Sequence, residues 1–202
     1  MDNKQQNFVS KISETEIDGL YTVESLMKGD LRGGFREVAR IGELETVSGR
    51  TFEAKQINHS SSIYGSLRGI HVEPWNKIVT VASGLAMCLL LDCRKNSKTY
   101  GKMKSIFLGF GKLPDGRELN GGSIFVPAGV GNSFLVLSER LEYVYVVDGL
   151  WNEKTSIYAV NPMDPKLAIN WTDYVPNEKI IRSERDINSP SFEEFGEKIQ
   201  DF

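Results

Sequence analysis

The sequence predicts an all-β protein, built as a closed or sandwiched arrangement of antiparallel strands. Short segments rich in β-branched residues and leucine recur at a spacing of roughly 8–12 residues, which is typical of β-barrels and β-sandwiches. Turn signals separate these segments. A convincing helical pattern appears only near the C-terminus, so we expect the helices to be short and to lie mainly there.

The bulk composition is that of one folded domain covering residues 1–202. Apolar residues make up 40% and charged residues 25% of the chain, as in ordinary globular proteins. The formal net charge of −3 gives no electrostatic reason to expect nucleic acid or a membrane as a partner. The N-terminus lacks the apolar core of a signal peptide, and the longest apolar stretch, Ile78–Leu91, is too interrupted to span a bilayer. We therefore expect a cytoplasmic protein. Cys88 and Cys93 are too few for a disulfide framework.

The first half of the chain reads as strands joined by polar connections. Residues 1–12 are polar and are predicted to be disordered. A glycine-rich connection is expected at 29–35. Five stretches have strand-like content: Ile17–Val23, Phe52–Asn58, Ser62–Val72, Lys77–Ala82 and Leu85–Asp92. The last two are interpreted as buried strands, because turn signals bound them and Ser83-Gly84 separates them.

The second half begins with segments that do not resemble strands. The lysines between residues 95 and 104 are expected on a solvated loop, and Gly109–Gly122 is rich in turn signals. Four further strands are predicted at Ser123–Val126, Ser133–Leu137, Leu141–Val147 and Ser156–Val160. Ser191 and Glu194 have the spacing of a capping box, which predicts a C-terminal helix over residues 191–202.

The segment Ser66–Lys77 carries the side chains best suited to chemistry. His71 is one of only two histidines in the chain, and a free imidazole, with a pKa of about 6.5, is available as a base near neutral pH. Arg68 could hold a phosphate and Lys77 could stabilise an oxyanion. Each also has a structural interpretation: a core histidine, an ordinary ion pair, or a lysine reaching solvent. His59 lies in the polar stretch I-N-H-S-S-S and is interpreted as structural.

Two other positions could serve the same chemistry. Tyr143 and Tyr145 alternate with valines, so the period of a strand places both on one face, where they either pack in the core or face a cavity. Asp186 could orient a histidine through a ring nitrogen, although the sequence alone does not bring it to His71. A metal site is not expected, because zinc and iron centres usually need three protein ligands and the chain has no H-x-H.

Five motifs stand out along the chain. D-L-R-G-G-F-R-E occupies residues 30–37, and Q-I-N-H-S-S-S-I-Y-G-S-L-R-G-I-H occupies 56–71. Further motifs are K-I-V-T-V-A-S-G with D-C-R-K-N-S-K-T-Y-G within 77–101, P-A-G-V-G-N-S-F at 127–134 and S-E-R-D at 183–186. Together they resemble the motifs of the dTDP-4-dehydrorhamnose 3,5-epimerase family of nucleotide-sugar epimerases, whose patterns include D-x-R-G-x-F-x-E and G-x-L-R-G-x-H.

The resemblance implies a cupin-type double-stranded β-helix, or jelly roll, in a homodimer that exchanges N-terminal strands. It implies that His71 is the base, that Asp186 orients it, that Lys77 faces the C4 carbonyl oxygen, and that Tyr145 returns a proton from the opposite face. The residues implied to hold the substrate are Arg32, Phe35, Glu37, Gln56, Asn58, Arg68, Asn132, Trp151 and Arg185. The implied substrate is a nucleotide-diphospho-4-keto-6-deoxy sugar. No cofactor or metal is required, because a 4-keto group acidifies its neighbouring C–H bonds and inversion needs only a base and an acid.

The chain departs from the family pattern at the substrate end. Asn132 stands where the family has a histidine, and asparagine can hydrogen-bond but cannot carry a charge. Ser133 replaces a glycine, Glu73 ends an H-V-E where the family has H-Y-Q, and Leu150-Trp151 stands where paired tyrosines are common. Because the implied base, its partner and the acid are kept, we predict an active epimerase that favours inversion at C3 alone.

Several alternatives remain open on the sequence. They are a standard 3,5-epimerase, a C5-epimerase acting on a CDP-linked sugar, a sugar-nucleotide binding cupin without catalysis, and a metal-dependent cupin oxygenase, for which two histidines are few. The sequence specifies neither the nucleotide, whether dTDP, CDP or GDP, nor the final sugar. The family implies a role in making surface polysaccharide, such as the O-antigen of lipopolysaccharide.

Overall fold

The computed structural model describes residues 11–25, 27–113, 115–152 and 158–198. Within these ranges, the chain forms two facing antiparallel sheets and a separate hairpin. The strands are β1 (Lys11–Glu14), β2 (Tyr21–Glu24), β3 (Lys28–Asp30), β4 (Gly33–Phe35), β5 (Gln56–Ile63), β6 (Leu67–His71), β7 (Lys77–Ser83), β8 (Leu85–Asp92), β9 (Met103–Lys112), β10 (Glu118–Gly121), β11 (Ser123–Val126), β12 (Val130–Val136) and β13 (Arg140–Val147). The helices are α1 (Ile41–Ser48), α2 (Glu184–Ile187) and α3 (Phe192–Lys198), with single 3₁₀ turns at Pro165–Leu167, Trp171–Asp173 and Asn177–Lys179.

The two sheets form a jelly roll, so the predicted fold class is confirmed. One sheet has the strand order β1-β2-β11-β7-β13-β5, and the other has the order β10-β9-β8-β12-β6. Apolar residues from both sheets meet in one buried cluster between them, which includes Val79 and Val81 of the first sheet and Cys88 and Leu90 of the second. No helix in the described ranges is long and apolar enough to cross a membrane.

Strand β8 is buried on both faces, which explains its unbroken apolar sequence. Cys88 and Leu90 face the other sheet, whereas Met87 and Leu89 pack under the C-terminal segment that contains Trp171. A leucine side chain that is fully removed from water contributes about 1.5–3 kcal/mol. The C-terminal segment is therefore an integral layer over the outer face of the five-stranded sheet.

The N-terminal region differs from the prediction in three places. Residues 1–10 lie outside the described ranges, but Lys11 and Ile12, which were expected to be disordered, pair with β2. The predicted strand Ile17–Val23 is wrong in its first half, where the chain turns and buries Ile17 while the strand itself begins at Tyr21. The expected connection at 29–35 is the β3–β4 hairpin, which is exposed and forms a two-stranded sheet of its own.

Helix α1 was not predicted. It is only 8 residues long and buries a single side chain, Leu44. A helix with so narrow an apolar stripe leaves little periodic signal in the sequence. Gly49 ends it in the left-handed conformation, with φ at 65°, as a C-terminal glycine commonly does.

The region predicted as solvated loop and turns contains β9 and β10. The prediction was wrong for these two strands because glycines were taken as turn signals, whereas Gly109 and Gly111 lie within β9. It holds at Lys95 and Lys98, which are exposed on a turn, and between Leu113 and Arg117, where the chain turns. At Gly109, with φ at 117°, an added Cβ would lie 2.1 Å from the carbonyl oxygen of Gly84. The glycine therefore permits a close approach between strands. Lys104, expected on a loop, pairs with Glu16 at 2.9 Å.

The remaining strands agree with the prediction to different degrees. Strands β8 and β11 match it, while the predicted Ser62–Val72 is divided by a turn between β5 and β6. Of Ser156–Val160, residues 156 and 157 lie outside the described ranges, and Ala159 forms an isolated bridge with His71. The capping box is confirmed, since Ser191 N–H donates to Glu194 at 2.8 Å. Of the predicted helix over 191–202, residues 199–202 lie outside the described ranges.

Candidate active site

A cavity that is open to solvent lies between the two sheets. It is lined by Ser60, Arg68, His71, Glu73, Lys77, Asn132, Phe134, Tyr143 and Tyr145. The residues come from five strands and one loop that are far apart in the sequence, so the fold itself assembles the site.

His71 ends β6 and is held by Asp186. Its Nε2 lies 2.9 Å from Asp186 Oδ1. Because an ionised carboxylate can only accept hydrogen bonds, Nε2 carries the hydrogen and Nδ1 of the neutral ring keeps its lone pair. The structure therefore contains the expected pairing of His71 with Asp186, which are 115 positions apart in the sequence.

Local structure explains why Asp186 reaches His71. Ser183 caps α2 and accepts a hydrogen bond from the Asp186 amide at 3.2 Å. The buried carboxylate also accepts from the Gly69 amide at 3.4 Å. Burial acts to raise the pKa of Asp186, but the hydrogen bond from His71 and its charge outweigh burial, so the pKa lies below its usual value. The Asp186 carboxylate is thus ionised and held in place beside the imidazole ring.

Gly69 allows β6 to lie against β12. Its φ is 110°, and an added Cβ would lie 2.6 Å from the carbonyl oxygen of Asn132. In that register Asn132 lies directly opposite His71. The glycine within R-G-I-H therefore has a packing role that brings a β12 side chain beside the imidazole.

Lys77 lies inside the molecule and forms an ion pair with Glu73. Only 3% of its side chain is exposed, and Nζ lies 2.5 Å from Glu73 Oε2. The interpretation of Lys77 as a lysine reaching solvent is therefore wrong. Burial acts to raise the pKa of Glu73, but the Lys77 charge and hydrogen bond outweigh it, so the pKa is lowered.

The two tyrosines of β13 lie on one face, as predicted. Their ring centroids are 6.2 Å apart and both line the cavity. Tyr143 is buried, stacks on Phe134 at 4.2 Å, and accepts a hydrogen bond from Asn132 Nδ2 at 3.1 Å. Tyr145 is less buried, and its pKa is raised by burial and then by the charge of Glu73. Tyr145 is therefore a protonated phenol at neutral pH.

Strand β5 alternates half-buried polar side chains with exposed ones, and of these Ser60 lines the cavity. Gln56, Asn58 and Ser60 face inward, whereas His59 faces outward and contacts Glu142 at 2.5 Å. Gln56 Nε2 donates to Asn58 Oδ1 at 2.6 Å, and Gln56 Oε1 accepts from the Trp151 backbone amide at 3.0 Å. The structural interpretation of His59 agrees with its position on this edge strand.

A second cavity, also open to solvent, adjoins the first. His71 and Arg68 line both, while Arg182 and Arg185 line only the second. Arg68 is held by a hydrogen bond from Nε to Ser62 Oγ at 3.1 Å. The expected anion-binding residues Arg68 and Arg185 therefore border one space. Because each cation attracts phosphate oxygens, that space suits a diphosphate.

Six of the predicted substrate residues line neither cavity: Gln56 and Asn58 of β5, and Arg32, Phe35, Glu37 and Trp151. Arg32 pairs with Asp30 at 2.6 Å, and Phe35 is largely exposed, both on the β3–β4 hairpin. Glu37 pairs with Arg40 at 2.7 Å, and Trp151 is half exposed. Within one chain, these side chains and the base do not form a single site.

Sequence reasoning did not assign a role to Glu73 or Ser60. Ser60 could have been found from the period of two, since it follows Gln56 and Asn58 on the same face. Glu73 could have been found from its place in the short connection between His71 and Lys77, because a residue there lies near both of them.

Comparison with known proteins agrees with this geometry. The family model described as dTDP-4-dehydrorhamnose 3,5-epimerase matches residues 14–194. A dTDP-4-dehydrorhamnose 3,5-epimerase of Shigella flexneri is 31% identical over 185 residues, covering 90% of this chain and 95% of that protein. The structure of a dTDP-4-dehydrorhamnose 3,5-epimerase from Elizabethkingia anophelis superposes with a TM-score of 0.78 at 30% identity, covering 92% of this chain and 97% of the other.

A third similar protein carries a narrower description. ChmJ from Streptomyces bikiniensis, a 3'-monoepimerase solved in complex with dTDP-quinovose, superposes with a TM-score of 0.76 at 26% identity. The match covers 89% of this chain and 86% of ChmJ. The family model spans residues 14–194, which include every residue that lines the cavity, and the relatives match most of the chain. The chain therefore belongs to the dTDP-4-dehydrorhamnose 3,5-epimerase family and is a carbohydrate epimerase, an isomerase.

Proposed function

We propose that this protein inverts C3 of a dTDP-linked 4-keto-6-deoxyhexose. One observation carries the proposal: His71, oriented by Asp186, comes from one sheet, whereas Tyr145 comes from the other, and both line the same cavity. A sugar ring bound between the sheets has a base on one face and an acid on the other. That arrangement is what inversion of a carbon requires.

The proposed reaction moves only protons. The 4-keto group acidifies the C3–H bond, and Nδ1 of His71 takes that proton while Asp186 stabilises the imidazolium. The electron pair moves to the C4 oxygen, whose charge the Lys77 ammonium stabilises. Tyr145 then donates its phenolic proton to the opposite face of C3, and solvent exchange returns both residues to their starting states. No step needs a metal or a redox cofactor.

The choice of dTDP and of C3 rests on two different arguments. The relatives are described as acting on dTDP-linked sugars, and ChmJ is described as a 3'-monoepimerase. In this chain, the position opposite His71 is Asn132, a neutral side chain already bonded to Tyr143. Ser133 beside it donates to the Arg68 carbonyl oxygen at 2.7 Å. These altered contacts at the sugar end support inversion at one carbon rather than two.

The second candidate is the 3,5-epimerase itself. It is favoured by the description of the family model and of the Shigella relative. The two candidates share His71, Tyr145 and Lys77 and differ only in whether the sugar also presents C5 to the same groups.

We also propose that the protein works as a homodimer in the synthesis of surface polysaccharide. The β3–β4 hairpin carries Arg32 and Phe35 away from the chain's own cavity. In a dimer that exchanges this region, the hairpin would bring both side chains, with Glu37 behind them, to the nucleotide in the partner's site.

The first test follows the protons of dTDP-4-keto-6-deoxyglucose by NMR in D₂O. We expect deuterium to enter at C3 and not at C5. Entry at both carbons would establish the 3,5-epimerase instead. Entry at C5 alone from a CDP-linked substrate, with no reaction of the dTDP sugar, would overturn the proposal.

A matched pair of histidine variants separates catalysis from binding. His71→Asn is expected to lower the exchange rate by at least about 10²-fold, because general base catalysis contributes about 10²–10⁴. His59→Asn, on the outer face of the edge strand, should retain the wild-type rate. Calorimetry with dTDP should give similar affinities for both variants. Full activity of His71→Asn would contradict the assignment of His71 as the base, whereas a wild type that binds dTDP but exchanges no proton would leave only a binding function.

A further inference from the structure

The Glu73–Lys77 pair is unlike the ion pairs on the surface of the protein. The exposed fractions of its side chains are 13% and 3%, whereas those of Asp30 and Arg32 are 53% and 90%. Removing one partner of a buried pair leaves an uncompensated charge in a medium that solvates it poorly. Within the cavity, Glu73 and Lys77 therefore compensate each other's charge.

The backbone fixes Glu73 in place. Its carbonyl oxygen accepts a hydrogen bond from the Gly129 amide at 3.0 Å. Three residues on, Asn76 binds Asp148 through its backbone amide at 2.8 Å and its side chain at 2.7 Å. The connection from β6 to β7 is thus tied to two neighbouring loops, and the Glu73 carboxylate is held where it lines the cavity.

Every element around Glu73 presents a group that responds to its charge. Lys77 comes from β7, His71 from β6, Arg185 from α2 and Tyr145 from β13. The three cationic or basic groups favour the ionised carboxylate despite its burial. The phenol of Tyr145 responds in the opposite sense, because burial and then the Glu73 charge disfavour its anion.

We propose that Glu73 is a positioning residue that keeps the two proton-bearing groups of the cavity, the Lys77 ammonium and the Tyr145 phenol, protonated over the working pH range. The proposal rests on the epimerase function proposed above. Lys77 needs its proton to stabilise the enolate, and Tyr145 needs its proton to donate it. The Glu73 carboxylate, which shares the cavity with Lys77 and Tyr145, favours the protonated form of each.

The same charge acts after the transfer to carbon. The phenolic O–H bond breaks as the new C–H bond forms, which leaves a phenolate near a carboxylate. Like charges in a cavity of low dielectric repel strongly. The phenolate therefore regains a proton from water quickly, and His71 releases its own proton to solvent. Glu73 thus favours reprotonation of Tyr145 without itself gaining or losing a proton.

Replacement of Glu73 by glutamine tests the role, because glutamine keeps the shape and removes the charge. We expect the alkaline limb of the kcat/KM profile to move to lower pH by about 1–3 units, the usual effect of a charge within 4–6 Å. Glu142→Gln removes another paired carboxylate, one that contacts His59 outside the cavity, and should leave the profile unchanged. A uniform loss of rate at every pH, with the limb unmoved, would overturn the proposal.

Two further measurements separate this inference from the proposed function. In protein labelled with [ε-¹³C]lysine, the Lys77 resonance is identified by its loss in Lys77→Arg, and no substrate is needed. It should change with pH at a lower pH in Glu73→Gln than in the wild type, and an unchanged transition would overturn the inference. If the wild type turns over no nucleotide sugar, the proposed function fails while this titration still decides the role of Glu73. Glu73→Asp keeps the charge and should keep the wild-type alkaline limb with a lower kcat; a shifted limb would count against the role.

Discussion

Asp186 shows how one buried carboxylate couples the site to the stability of the fold. It accepts hydrogen bonds from His71 at 2.9 Å and from the Gly69 amide at 3.4 Å, and its own amide donates to Ser183. Burial opposes its ionisation, but these partners, His71 foremost, hold its pKa below the usual value. The interactions that orient the imidazole therefore also stabilise the folded protein whenever Asp186 is ionised.

The sign of this linkage gives a test in acid. A carboxylate whose pKa is lower in the folded state adds stability above its unfolded pKa, near 3.9, and loses it as the pH falls through the folded pKa. The free energy of unfolding of the wild type should therefore exceed that of Asp186→Asn at pH 6, and the difference should shrink as the pH falls below about 4. Urea unfolding at a series of pH values measures it. A difference that stays constant down to pH 2 would contradict the assignment.

At the level of strands, the close approach between β9 and the turn before β8 depends on glycine. Gly109 and Gly111 both lie in β9 with positive φ, at 117° and 134°. A Cβ at Gly109 would meet the Gly84 carbonyl oxygen at 2.1 Å, whereas a Cβ at Gly111 would have no atom within 4 Å. A comparison of Gly109 with Gly111 therefore separates the energetic cost of backbone strain from that of steric overlap.

Alanine at each glycine makes the separation measurable. Gly111→Ala should lower the free energy of unfolding by about 1–3 kcal/mol through backbone strain alone. Gly109→Ala should cost about 1–3 kcal/mol more, because overlap with backbone cannot be relieved by a side-chain rotation. Chemical denaturation of both variants gives the difference. Equal losses would mean that the strands can separate at no cost.

How far the sequence predicts this molecule depends on what each element shares with its neighbours. Strand β8 is evident from the sequence because it is apolar on both faces, and the motif R-G-I-H marks the site because its residues lie together in one strand. Strand β9 escapes prediction since Gly109 serves a contact with distant backbone, and no local rule distinguishes such a glycine from a turn glycine. The ion pair of Glu73 escapes too, because an acidic residue in a connection is usually solvated.

For the molecule as a whole, the β3–β4 hairpin is the feature that does not belong to the jelly roll. It forms its own two-stranded sheet, and Leu31 at its tip is fully exposed while Phe35 is 62% exposed. An isolated two-stranded hairpin is at best marginally stable in water. A hairpin with apolar side chains at its surface is thus expected to gain its stability from a second chain.

A charge at the hairpin tip tests the dimer. Leu31→Asp should shift the protein from dimer toward monomer, since burying an unpaired carboxylate in an interface is costly. Light scattering after size-exclusion chromatography gives the mass of each variant. Val47→Asp makes the same change at an exposed position of α1 and should remain dimeric. A monomeric wild type, or a Leu31→Asp variant that stays dimeric, would contradict the expectation.

The C-terminal segment that covers the outer face of the five-stranded sheet affects how this enzyme loses its activity. Asp186 reaches His71 from a C-terminal segment that pairs with β6 through Val160 and Ile70, and with the start of β6 near Ile181, through Leu67 N–H to Ile181 O at 2.8 Å and Ile181 N–H to Gly65 O at 2.9 Å. If this segment lifts off, the imidazole loses its partner while the strands keep their own hydrogen bonds. Heating or proteolysis should then abolish turnover before the sheets unfold, so that loss of turnover precedes loss of β-structure in circular dichroism.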